Sequence, residues 1–135
     1  MSIIGFTGTR NGITKDQERR IVQLAILLEI HEFHHGDCIG SDIKAHKVIK
    51  KLNANIKIII HPPSYTGCRA YCRGNIILTP LPYLDRNRDI VDSSDILIAT
   101  PDTKERVRSG TWSTVRYARR KGKEVIIINP NGEIT

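Results

Sequence analysis

The chain is poor in aromatic side chains, with two phenylalanines, four tyrosines and one tryptophan among 135 residues. A platform of exposed rings for stacking nucleic-acid bases is therefore not evident. No apolar run approaches the roughly 18 residues needed to cross a bilayer, and the longest, such as Ile58-Ile59-Ile60 and Val125 to Ile128, have the length of strands. No membrane partner is expected. The start, MSIIGFTGTR, has neither a charged lead-in nor a long apolar stretch, so it reads as a strand and not as a signal peptide. Cysteines number only three, and Cys68 and Cys72 do not have the spacing of a zinc knuckle. So few thiols, odd in number, argue against a disulfide framework and for a reducing, cytoplasmic setting. His31, His34, His35, His46 and His61 form no metal-binding motif and read as structural or surface residues. Neither a metal nor a resident cofactor is expected. The dinucleotide fingerprint and the P-loop are also missing.

What is present is positive charge, +7 at neutral pH, which favours anionic partners. The apolar fraction of 39% suffices for one core in one domain, residues 1–135. Ile3 to Phe6 read as a first strand. Thr14 and Gln17 have capping-box spacing, and Ile21, Leu24, Ala25 and Leu28 follow as a helical stripe. Phe33 to His35 form a weak second strand. Ser41 is placed to cap a second helix, with Ala45, Val48, Ile49 and Leu52 on its inner face. Ile56 to Ile60 form a third strand, closed by Pro62-Pro63. The stretch from His61 to Pro82 looks irregular, and is long enough to hold a short element or a flap. A third helix covers Tyr83 to Ser93, and Ile96 to Ala99 form a buried strand. The fourth helix starts near Gly110 and ends in Arg119-Arg120-Lys121-Gly122, basic residues at its negative end followed by a C′ glycine. Val125 to Ile128 make the last strand.

Strands alternating with helices predict a doubly wound α/β domain with helices on both faces. Five parallel strands in the order 3-2-1-4-5 satisfy right-handed crossovers. Ligands of such sheets bind where the strand order reverses, here beyond the first and fourth strands. The first of those loops carries Thr7-Gly8-Thr9-Arg10, with a glycine for close backbone approach, two hydroxyls and a guanidinium fork. The other carries the basic run Arg106-Val107-Arg108-Ser109-Gly110-Thr111 and opens a helix, so Arg108, the hydroxyls of Ser109 and Thr111, the bare amides of Gly110 and Thr111 and the helix dipole favour an anion. Gly36 to Asp42 end the second strand, with Gly36, Gly40, Ser41 and Asp42 as ligand candidates. Asp42 either accepts ribose hydroxyls or serves its own helix start. Arg86 and Asn87, near the start of the third helix, complete the candidate set, with surface solvation as the alternative for them.

Taken together, Gly5-Phe6-Thr7-Gly8-Thr9-Arg10, Gly36 to Asp42, Arg86-Asn87-Arg88-Asp89-Ile90-Val91, Asp95 to Thr100 and Ser109-Gly110-Thr111 resemble the SLOG superfamily. This Rossmann-like group includes the LOG phosphoribohydrolases and the DNA-processing protein DprA. The resemblance covers nearly the whole chain. It implies a nucleotide-type ligand with its phosphate on the Gly110-Thr111 helix start, and a homodimer or higher homo-oligomer joined through helices. Arg86 resembles the position of the catalytic arginine of LOG enzymes, and is the one catalytic candidate. The catalytic glutamate of those enzymes is replaced by Thr114, and Val107-Arg108 stand where a paired glycine belongs.

N-glycosidic cleavage commonly needs a carboxylate to stabilise the ribosyl cation or activate water, which favours a binding protein over an enzyme. The leading expectation is thus sensing or sequestering of a phosphate-bearing nucleotide or nucleotide-derived molecule. Trp112 would then either stack on a base or pack against the sheet. One alternative is a nucleoside-phosphate N-glycosidase with Asp37, Asp42 or Asp85 in place of the glutamate. The other is DprA-like binding of single-stranded DNA through Arg116, Arg119, Arg120, Lys121 and Lys123.

Overall fold

The computed structural model describes residues 1–135. Strands β1 (Ser2–Gly8), β2 (Ile30–His35), β3 (Lys57–Ile60), β4 (Ile76–Ile77), β5 (Ile96–Thr100) and β6 (Glu124–Ile127) alternate with helices α1 (Lys15–Leu27), α2 (Ser41–Leu52), α3 (Tyr83–Asp92) and α4 (Gly110–Arg120). The strands form one sheet in the order β4-β3-β2-β1-β5-β6, and every pairing is parallel. The sheet thus has six strands and not the expected five. The additional strand is the edge pair Ile76–Ile77, inside the segment read as irregular. Asn75 joins it to β3, its N–H donating to Ile58 O at 2.9 Å and its Oδ1 accepting from Ile58 N at 2.8 Å. Two exposed residues between glycine and prolines are too short a run for periodicity to register. The five expected strands keep their predicted relative order.

Both faces of the sheet are covered because the central strands are apolar on both sides. Ile96 and Ile98 of β5 point with Ile4, Phe6 and Phe33 into a core closed by Ile21, Leu24 and Ala25 of α1 and Ala45 and Ile49 of α2. The intervening Leu97 and Ala99 point the other way, toward Ile90 and Val91 of α3 and Trp112, Val115 and Ala118 of α4. Trp112 is therefore a core residue. No helix is long and apolar enough to cross a membrane.

Local signals set most helix ends. Thr14 and Gln17 form the reciprocal capping box at α1, worth about 1 kcal/mol. Ser109 caps α4 by accepting from Trp112 N at 3.3 Å. Gly122, with φ of 73°, follows its C-terminus. At α2 the cap is Gly40, not Ser41: Ser41 is the first helical residue, and its hydroxyl donates to Thr9 O at 2.6 Å. A hydroxyl spent on a neighbouring loop is lost to its own helix end.

The segment after β3 is strapped down by Asp37, which is fully buried with φ of 56°. Its carboxylate accepts from Arg69 Nε at 3.1 Å and Cys72 N at 2.8 Å, and its carbonyl from Ala70 N at 2.7 Å. These bonds to the buried Asp37 therefore fix the path of residues 69–72.

Helix α3 lies close on β1 because Gly5 has no side chain. A Cβ at Gly5 would run into Ser94 Oγ and press on Ile90. Gly5→Ala is expected to push α3 outward and to destabilise the fold by about 1–3 kcal/mol. Urea unfolding measures this, and an unchanged midpoint would refute the close-packing account.

Candidate functional site

The strand order reverses at β1, which lies between β2 and β5. The carboxyl ends of β1 and β5 therefore diverge into loops with a crevice between them. A cavity of about 510 Å³ lies there, within the usual range for small-molecule sites. Its wall combines Thr7 to Asn11 from the end of β1 and the loop after it, Gly36, Cys38, Ile39 and Asp42 around the β2–α2 turn, Tyr83, Arg86, Asn87 and Ile90 of α3, and Asp102, Arg106 and Arg108 to Thr111 around the start of α4. Of the residues anticipated from sequence, Thr7, Gly8, Thr9, Arg10, Gly36, Asp42, Arg86, Asn87, Arg108, Ser109, Gly110 and Thr111 meet here. Gly40 and Ser41 do not line the cavity. They sit behind it, where Gly40, with φ of 93°, packs on the Arg10 backbone and Ser41 holds Thr9 O.

The glycines divide by role. A Cβ at Gly110 would meet nothing within 4 Å, so the start of α4 is open. Gly8 differs from the expectation of close ligand approach: a Cβ there would collide with Ser41 and Thr100, so its smallness serves packing between β1, α2 and β5. Gly36 likewise makes room for the Arg86 guanidinium.

Arg86, expected among the phosphate-holding residues, lies buried on the cavity wall. It is 6% exposed. Its Nη1 donates to Gly36 O and, at 3.3 Å, to His61 O, while its Nε donates to Asn87 Oδ1 at 2.7 Å. The Tyr83 ring lies between Arg86 and Arg10, with centroid distances of 5.3 and 5.9 Å. Asp42 is buried beside this cation and accepts from Cys38 N at 3.1 Å. Burial raises its carboxyl to about 6, against the opposing pull of Arg86.

The mouth is built differently. Arg10, Arg106 and Arg108 are exposed around the open start of α4. Arg116 of α4 fixes the loop that carries two of them, donating to Glu105 Oε2 at 2.9 Å, Arg106 O at 3.3 Å and Val107 O at 3.1 Å. Asn11 Nδ2 donates to Asp102 Oδ2 and ties the loops after β1 and β5 together.

Three aspartates were candidates to replace a catalytic glutamate, and only Asp42 reaches the cavity. Asp37 is committed to Arg69 and Cys72, and Asp85 is exposed outside the wall. Thr114 is buried with its hydroxyl donating to Gly110 O at 2.8 Å, and no carboxylate stands in its place. Sequence reasoning missed Tyr83, Cys38, Ile39, Asn11, Asp102 and Arg106 as wall residues. Arg106 lay within the basic run already noted, and Cys38 and Ile39 lay between two glycines. Tyr83 and Asp102 carried no comparable signal.

Four histidines are buried as two pairs at the ends of β2 and β3. Glu32 accepts from His34 Nε2 at 2.7 Å, so His34 Nδ1 accepts from His61 Nε2 at 2.7 Å. The Asp37 N–H donates to His35 Nδ1 at 3.0 Å, so His35 Nε2 carries a proton and donates to His46 Nδ1 at 2.9 Å. Ring nitrogens of His35 and His46 and the Cys72 sulfur lie within 4.8 Å of one another. A metal on His35 Nε2 would force a proton onto Nδ1, directly against the Asp37 N–H. The hydrogen bonds therefore favour a neutral, metal-free pair.

Burial lowers His34, His35, His46 and His61, the last to about 3. Each folded value lies below the free value of 6.5, so the stability these rings contribute is full above pH 6.5 and is lost as pH falls toward 3. Asp42, raised from 3.8 to about 6, acts oppositely, and its contribution is lost as pH rises through that interval. His61→Gln should flatten the fall in urea stability between pH 7 and pH 4, and Asp42→Asn should steepen it, each by an amount on the order of 1–3 kcal/mol. Identical pH profiles for both variants and the parent would sink this account.

No protein-family model matches the chain, and no curated protein matches it. Among solved structures, the chain is similar to the molybdenum cofactor binding protein from the phototrophic bacterium Rippkaea orientalis. The TM-score is 0.71 and the identity 30%, over 94% of this chain and 76% of that one. With likeness of this extent in both sequence and fold, the chain belongs to the same family as the Rippkaea orientalis protein.

Proposed function

We propose that this protein binds and holds a phosphate-bearing, nucleotide-derived small molecule, with the phosphate on the opening turn of α4. The observation that carries the reading is the convergence on one cavity of the open Gly110-Thr111 turn and three exposed arginines, Arg10, Arg106 and Arg108. Bare amides and guanidinium groups are the donors a phosphate dianion needs. The SLOG reading of the sequence agrees with this placement.

The relative's name narrows the ligand class. The molybdenum cofactor is a pterin derivative whose fused third ring carries both a phosphate monoester arm and the pair of metal-bearing sulfurs. The residues present fit such a cargo. The open helix start and its arginines suit the phosphate, and the cavity of about 510 Å³ suits a molecule of that size. When bound, the cargo brings the metal centre; the protein supplies the charge, the donors and a walled crevice. The absence of a carboxylate at Thr114 favours holding over cleavage.

A second reading rests on Asp42, a carboxylate on the cavity wall beside Arg86. It would make the protein a nucleoside-phosphate N-glycosidase. Incubation with nucleoside monophosphates and detection of free base, abolished by Asp42→Asn, would establish it.

The holding function is tested by calorimetric titration with the molybdenum cofactor and with adenosine monophosphate. Arg108→Ala should weaken binding about tenfold, the effect of one charge-assisted contact. Gly110→Val should weaken it further by filling the open turn. The affinities should change little between low and moderate salt, unlike those of a nucleic-acid binder. If neither molecule binds, or both variants bind as well as the parent, the proposal fails.

A further inference from the structure

The charged side chains at the cavity mouth are chiefly donors, the guanidinium groups of Arg10, Arg106 and Arg108. Side chains with a carbonyl or carboxylate oxygen are few on the wall: Asn11, Asp42, Asn87 and Asp102. Two of these are engaged inside the protein. Asn87 Oδ1 accepts from Arg86 Nε at 2.7 Å. Asp42 is 7% exposed, and its Oδ2 accepts from Cys38 N. Asn11 and Asp102 remain, and they hold each other, with Asn11 Nδ2 donating to Asp102 Oδ2. Asn11 is exposed and Asp102 half-buried.

Asp102 enters no ion pair, although three exposed guanidinium groups line the same cavity. A neutral amide orients its carboxylate, so the negative charge stays uncancelled. Oδ1 has no partner within the protein, and Oδ2 keeps a lone pair beside its bond to Asn11. A dianionic phosphate has nothing to donate to this carboxylate and is repelled by it. A divalent cation bridging to the phosphate needs several oxygen ligands, and no group of metal-ligating side chains includes Asp102. What fits is a neutral ring edge that carries N–H groups.

We propose that Asp102, oriented by Asn11, reads the amino-pyrimidinone edge of the ligand's ring system, the edge that guanine and pterin share. There a ring N–H and an exocyclic amino group are adjacent donors, and the two oxygens of one carboxylate accept from both. Adenine sets a ring lone pair beside its amino group, hypoxanthine lacks the amino group, and xanthine carries an oxo group in its place. Each leaves the carboxylate with an unmet or repelled oxygen. The inference rests on the phosphate-binding reading above and says which ring accompanies the phosphate. In guanine nucleotides and in the molybdenum cofactor alike, this edge lies away from the phosphate arm. The arginines and Asp102 thus serve different parts of one molecule, and no bond is made or broken.

Calorimetric titration of the whole protein with guanosine, inosine, adenosine and xanthosine monophosphates, and with molybdenum cofactor released under anaerobic conditions, tests this. Among the nucleotides, the guanosine compound should bind about tenfold more tightly than the others, the effect of one charge-assisted contact. Asp102→Asn keeps the side chain's size and its acceptor for Asn11, but turns an amide donor toward the ligand. It should weaken guanosine monophosphate and the cofactor about tenfold and strengthen xanthosine monophosphate about fivefold, because the new donor meets the 2-oxo group. Arg108→Ala should weaken all four nucleotides by one factor, since they share the phosphate. Loss of the cofactor alone in Asp102→Asn assigns the edge to pterin, and loss of the guanine nucleotide alone assigns it to guanine. The role of Asp102 is overturned, and the phosphate reading stands, in any of three cases: Asp102→Asn weakens every ligand alike, it weakens none, or binding requires magnesium and is lost with a chelator. A guanine preference that persists at undiminished affinity in both Arg108→Ala and Gly110→Val keeps the ring reading and overturns the phosphate placement. A parent protein that binds none of these molecules overturns both.

Discussion

One guanidinium joins the parts of this molecule that make the crevice. Arg86 reaches from α3 across the end of β1 to the carbonyls of Gly36, after β2, and His61, after β3. Two glycines permit that reach. Gly5 lets α3 settle on β1, and Gly36 leaves room for the guanidinium itself. A buried cation costs several kcal/mol in desolvation and is tolerated only where its donors are met. Here the carbonyls of Gly36 and His61 and the Asn87 side chain accept from it, and the Tyr83 ring lies beside it. The geometry of the crevice floor follows from satisfying this one charge.

The same constraint separates scaffold from site. Residues that seemed aimed at a ligand turn out to be occupied with one another. Ser41 holds the loop after β1, Gly8 packs on Ser41, and Asp37 straps residues 69–72 to the end of β2. What remains open is the α4 start and its surrounding arginines, held in position by Arg116 and by the Asn11–Asp102 bond. A floor whose groups are paired below an open, cationic mouth is an arrangement suited to holding a charged small molecule, and the likeness to a cofactor binding protein agrees with it.

Much of this was legible in the residues. Apolar stripes at helical spacing located the first two helices, the basic last turn and its C′ glycine marked the end of the fourth, short apolar runs located five strands, and the rule that crossovers are right-handed ordered them. The crevice followed, because a strand order that reverses leaves two loops diverging. Fourteen ligand candidates were named from these two loops, the β2–α2 turn and the start of α3, and twelve of them line the cavity. The misses share a cause. Ile76–Ile77 becomes a strand only because Asn75 and Leu78 find the free edge of β3, a partner far off in sequence. Tyr83 and Asp102 enter the wall only through the juxtaposition of α3 and β5 with β1.

The sequence by itself determined the layers, the order of the main strands and the end of the sheet at which chemistry belongs, because these depend on local periodicity and on chirality. Only the tertiary structure decided which polar groups are spent and which are free. A hydroxyl, a carboxylate or a guanidinium has the same donors and acceptors wherever it stands in the chain. Whether Ser41 caps a helix or holds Thr9, and whether Arg86 greets a ligand or two carbonyls, depends on neighbours that folding brings within 3 Å or so. That allocation is set by distance in space, which spacing along the chain does not encode.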